Sequence, residues 1–202
     1  MTSVDTAITD LAQVAADARD AFGSSTPEQL NWKPGEKSWS VAQCIDHLIT
    51  THSLYFPLFE RLAAGAERQT FWERYSPFSG FFGRFLIKGL DPKNLKKMKT
   101  TGKAQPSASE IGGDIIDRFC KHQEQIIDAI NKLPGNLDAT KQIITSPLLG
   151  AITYSLADAL TFVPMHCRRH FDQAKRAMET NGFPATGERT TPSAETAATP
   201  PS

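Results

Sequence analysis

Apolar residues open the chain at alternating intervals of four and three: Val4, Ile8, Leu11, Ala15, Ala18 and Phe22. At about 100° per residue this spacing draws one stripe along a helix, with Asp10, Asp17 and Arg19 on other faces. Gly23-Ser24-Ser25 ends it. The stretch from Leu30 to Trp39 reads as a loop because of Pro34 and Gly35. A second helix is predicted from Ser40, where Ser40 and Gln43 form a capping-box pattern. Its apolar series Val41, Cys44, Leu48, Tyr55, Phe59 and Leu62 spans about six turns, and Pro57 should kink or divide it. A third helix, roughly Ser109 to Leu133, carries Ile111, Ile115, Phe119, Ile126, Ile130 and Leu133 on one face and closes at Pro134-Gly135. The fourth starts at a second capping pattern, Ser155 and Asp158, and runs to about Thr180, where Asn181-Gly182 stops it. Pro164 should bend it near His166.

Between the second and third helices the pattern fails. Residues 66–108 form an inserted excursion, with short helices expected near 80–90 and 93–98 and some packing or function to justify its length. From Ala185 the chain turns to Thr, Pro, Ala and Ser, the composition of a disordered tail. The expected architecture is an all-α four-helix bundle over residues 1–184 with a tail at 185–202. Such bundles build metal and ligand sites from side chains on facing helices.

The chain of 202 residues is long enough for a real core. Its 22 basic and 22 acidic side chains cancel, so general attraction to nucleic acid or anionic membrane is not expected. Cys44, Cys120 and Cys167 are odd in number and widely spaced, which favours a reducing compartment over a disulfide framework. The opening residues lack a basic region followed by an apolar stretch, and no apolar run reaches the roughly 20 residues of a bilayer span. A cytoplasmic location is the expectation, with no nucleic-acid partner and no membrane span.

Candidate chemistry sits in Phe162-Val-Pro-Met-His-Cys-Arg-Arg-His-Phe-Asp-Gln173. His166 and His170 are one helical turn apart, so both imidazoles share one side of the helix and can converge on one ion. They lie at the edge of the apolar face, away from Arg168, Arg169, Asp172, Lys175 and Arg176. Cys167 stands where a His-Glu-x-x-His metalloprotease has its base. His47 occupies the matching margin of the second helix. Three nitrogens from two helices, with positions left open, is the pattern of a catalytic metal site. Core-edge histidines bonded to backbone or water are the competing reading of the same spacing. Cys44 and Cys167 lie beside these histidines but read as small buried hydrophobes. His52 points about 140° from His47 and is a poor partner for it. His122 and Gln173 are outside candidates for supporting contacts.

The block Trp39-Ser-Val-Ala-Gln-Cys-Ile-Asp-His47-Leu48, preceded by Leu30-Asn-Trp-Lys-Pro and followed by His166-x-x-x-His170-x-x-Gln173, resembles the DinB/YfiT-like superfamily over roughly residues 5–183. The resemblance implies a four-helix bundle, commonly a homodimer, with a divalent metal (zinc, nickel, iron or manganese) held by His47, His166 and His170. It also implies a range of activities on small-molecule substrates, with low-molecular-weight thiols as co-substrates in some members. The resulting expectation is a metal-dependent, thiol-using S-transferase, in which the ion activates a thiol or water. A hydrolase of the same fold and a non-catalytic binding or stress-response module are the alternatives. In the excursion, Phe71, Trp72, Tyr75, Phe78, Phe81, Phe82 and Phe85 alternate with Arg84, Lys88, Lys93, Lys96, Lys97, Lys99 and Lys103. The aromatics suit a pocket mouth or a dimer surface, and the lysines a solvated face or the attraction of an anionic thiol.

Overall fold

The computed structural model describes residues 3–65, 69–90, 104–107 and 110–185. Four long helical segments form the bundle: α1 (Ser3–Phe22), α3 (Val41–Ser53) continued by α4 (Phe56–Ala63), α7 (Ile115–Asn131) and α8 (Leu156–Met178). Short helices α2 (Pro27–Asn31), α5 (Phe71–Tyr75) and α6 (Ser79–Gly89) fill the connections. The all-α class expected from the periodicity is the class found. The predicted tail beyond residue 185 and the short helix near 93–98 lie outside the described residues.

Capping chemistry sets the starts of the two helices that carry the histidines. Ser40 Oγ accepts the Gln43 N–H while Gln43 Oε1 accepts the Ser40 N–H. Ser155 and Asp158 make the same reciprocal pair at α8. Each box satisfies backbone donors that the first helical turn leaves orphaned. Pro57 divides the second helical segment by occupying the first turn of α4, where its missing N–H costs nothing. Pro164 lies inside α8, which continues through it to Met178.

Three features depart from the sequence expectation. The loop before Trp39 begins with a helical turn, because Thr26 caps α2 through Gln29. The third long helix starts at Ile115 and not near Ser109. Gly112 and Gly113 weaken helix formation there, and the Ile111 backbone pairs in both directions with the Asn31 side-chain amide. Between α7 and α8 a two-stranded antiparallel hairpin forms, β1 (Ile143–Thr145) against β2 (Thr153–Ser155), with Ile144 opposite Tyr154.

Two apolar clusters fill the bundle. One gathers Val14, Phe22, Leu48, Ile115, Phe119 and Phe171, with the Phe171 ring edge-on to both Phe22 and Phe119 at 5.5 and 5.7 Å. The other joins Leu11, Phe59, Ile126, Ile144 and Leu160. The excursion is docked onto this frame. Glu73 of α5 is buried, accepts the Thr145 N–H and lies 3.6 Å from Arg61. Gly83 lets α6 approach α8 closely, since a Cβ there would collide with the Asp158 carboxylate.

Candidate metal centre

α3 and α8 pack against each other, and that contact brings together the three histidines singled out in the sequence. His47, His166 and His170 are 5, 7 and 9 % exposed, so their ring nitrogens must be satisfied from within the protein. His166 Nε2 lies 3.3 Å from His47 Nε2 and 3.1 Å from His170 Nε2. One ligand atom from each of the three falls within 4.8 Å of the others. Around a tetrahedral zinc with Zn–N bonds of 2.0–2.1 Å, nitrogen ligands sit about 3.3–3.4 Å apart. The two distances to His166 Nε2 are close to that spacing, and the third pair lies within 4.8 Å.

Protonation supports the same fit. The Ala104 carbonyl faces His47 Nδ1 at short hydrogen-bonding range, and a carbonyl only accepts. His47 therefore carries its proton on Nδ1 and presents a bare lone pair at Nε2. His166 Nε2 has two nitrogen neighbours, and a single proton on it could serve only one of them. A divalent ion could take a lone pair from each of the three rings at once.

Burial keeps these rings neutral, the form that ligates metals. It lowers the pKa of His47, opposed by the Ala104 carbonyl and Asp46. It holds His166 well below the ordinary value, with His170 and His52 adding to the effect. His170 is pushed down to about 3, chiefly by burial. Gln173 acts in the opposite direction on His170, yet among the described residues no well-formed hydrogen bond reaches His170 Nδ1. Aromatic walls fix the ring planes: Trp39 stacks on His170 at 5.7 Å and Phe162 on His166 at 5.1 Å.

The cysteines stay out of the cluster. Cys44 and Cys167 are fully buried in the apolar core, and burial pushes the Cys44 thiol up to about 12 and raises that of Cys167 as well. His122 is packed against Phe56 and bonded to Ser53 Oγ at 2.9 Å. The charged face of α8 lines a groove with Asp17 and Asp20 of α1, on the side of the helix opposite His166 and His170.

Two contributors escaped the sequence reading. Ala104 acts through its backbone, at the end of the excursion, where the following residues are pinned to α3 by Gln43 Nε2 donating to the Ser107 carbonyl and Ser107 N–H donating to Asp46. Nothing in an alanine side chain could have signalled this. His52 is the other. Its Nε2 lies 3.1 Å from His166 Nδ1, although it points away from His47 on α3.

A sequence model of the DinB superfamily matches residues 10–174. No curated protein and no solved structure matches the chain. No helix among the described residues is long and apolar enough to cross a membrane.

Proposed function

The chain belongs to the DinB superfamily, and from that premise we propose that it is a metal-dependent enzyme, a thiol-dependent S-transferase, with His47, His166 and His170 holding a divalent ion. The observation that carries this reading is the convergence of three buried, neutral imidazole nitrogens from two helices. A bound divalent ion would lower the pKa of a thiol or water brought to it and so supply a nucleophile near neutral pH.

The chain's own residues hold and shield that position. Ala104 fixes the tautomer of His47, and Trp39 and Phe162 limit rotation of the other two rings. No carboxylate is hydrogen-bonded to the three histidines among the described residues. Asp46 reaches His47 only through space and accepts the Ser107 N–H. Buried Glu73 is committed to Thr70 and Thr145. Activation of the nucleophile by the ion itself, without a neighbouring carboxylate base, is the chemistry this arrangement supports, whether the nucleophile is a bound thiol or a bound water. The reading also takes the protein as a homodimer, paired through the exposed aromatics of α5 and α6.

The test is zinc-loaded protein with a low-molecular-weight thiol and a soft electrophile, with thiol loss followed against time. Loss well above the uncatalysed rate, abolished in His166→Ala, is expected. Turnover of an activated ester without thiol would replace this reading by the hydrolase. Absence of both, in protein shown to contain metal, would leave a binding module.

A further inference from the structure

His52 is fully buried on α3 and bonds the ring that stands at the centre of the histidine cluster. α3 thus addresses both nitrogens of one imidazole. His47 Nε2 approaches His166 Nε2 at 3.3 Å, and His52 Nε2 approaches His166 Nδ1 at 3.1 Å. The bond between His52 and His166 contains one proton, which can belong to either ring.

If His52 Nε2 donates, His166 carries its own proton on Nε2, among the converging nitrogens. If His166 Nδ1 donates, Nε2 is a free lone pair and His52 becomes the acceptor. Only the second arrangement leaves His166 able to ligate. It also requires the neutral His52 ring to carry its proton on Nδ1.

The surroundings suit that tautomer. Among the described residues, His52 Nδ1 is buried without a hydrogen-bond partner, and so is the acceptor Gln123 Oε1 on α7. The Gln123 amide is oriented by its neighbour. Ser53 Oγ donates to the Ile49 carbonyl, so it accepts from His122 Nε2, which leaves His122 Nδ1 bare for Gln123 Nε2 at 3.5 Å. The orphaned donor of His52 and the orphaned acceptor of Gln123 are therefore complementary in kind, on two helices packed against each other.

We propose, resting on the metal-centre reading above, that His52 is the positioning residue of the site: it accepts the His166 Nδ1 proton and holds His166 in the tautomer whose Nε2 can bind a metal ion. Partners of this kind are worth roughly 10–100-fold in metal affinity.

Zinc affinity, measured by competition with a chromophoric chelator, tests this in wild type, His52→Ala and His52→Gln. The glutamine keeps an acceptor oxygen on the side chain. Expected results are affinity weakened by about 10–100-fold in His52→Ala and substantially restored in His52→Gln. Long-range proton–nitrogen NMR of the zinc-loaded wild type should place the protons of His166 and His52 on Nδ1. Affinities of both variants within about twofold of wild type would overturn the inference, because that change is far below the effect of losing such a partner. A proton on His52 Nε2 in the loaded protein would overturn it too. If His52→Ala does not fold, the glutamine variant and the NMR assignment still decide. Wild-type protein that takes up no zinc would instead overturn the metal-centre reading itself, and this inference with it.

Discussion

Burial sets the protonation state of the histidines, because all five in the chain lie below 10 % exposure. His122 shows the consequence away from the proposed ligands. Its pKa is lowered to about 4 by burial, against about 6.5 in an unfolded chain. Between those values the unfolded state binds more protons than the folded one. The stabilisation linked to keeping His122 neutral is therefore complete above about pH 6.5 and is lost as the pH falls toward 4. It amounts to about 3 kcal/mol at most. Urea unfolding of metal-free protein at pH 7 and pH 4.5 should show a larger loss in wild type than in His122→Gln, whose amide can still donate to Ser53. Equal losses would place the linkage elsewhere. Residue by residue, the sequence resolved what depends on position along one helix. The i, i+4 pair of His166 and His170 and the margin position of His47 were legible from angles alone. His52 was not, because an angular comparison with His47 says nothing about a ring arriving from α8. The wheel correctly separates the two side chains, and the structure places the His166 ring between them.

Helices α1, α3, α7 and α8 were legible from their apolar stripes, and at α3 and α8 reciprocal caps also mark the start; tertiary packing had no reason to override them. Boundaries drifted where glycine or a side-chain clamp intervened, as at Gly112-Gly113 and Asn31. The hairpin was invisible because three-residue strands carry too little alternation to stand out from a loop. In the excursion, α6 fell where expected, but α5 needed the Thr70–Glu73 cap and the buried docking of Glu73 to be seen. These two short helices raise the question of pairing. Phe71, Trp72, Tyr75, Phe78, Phe81 and Phe85 are each more than half exposed. Clustered exposed aromatics of this kind mark interaction surfaces. On the homodimer reading, sedimentation should give a dimer for wild type and a monomer for Phe81→Ser/Phe85→Ser with unchanged helicity. A monomeric wild type, or a dimer indifferent to both changes, would remove α6 from the interface.

At the scale of the whole molecule, the sequence foretold a bundle that brings two distant histidine-bearing helices together, and the family match agrees with it. What it could not foretell is how the site is enclosed. The Ala104 carbonyl comes from the far end of the excursion, Trp39 packs on His47 and His170, and Phe162 packs on His166. The bundle supplies the convergence, the excursion supplies a backbone acceptor, and burial supplies neutral imidazoles. Together they make a cluster of converging nitrogens that could hold a divalent ion. Metal content is therefore the most direct test. Untagged protein should be loaded with zinc, dialysed exhaustively and subjected to elemental analysis alongside His166→Ala. One ion per chain is expected in wild type and a substoichiometric trace in the variant. Wild-type protein without stoichiometric metal, or a variant that retains it in full, would contradict it.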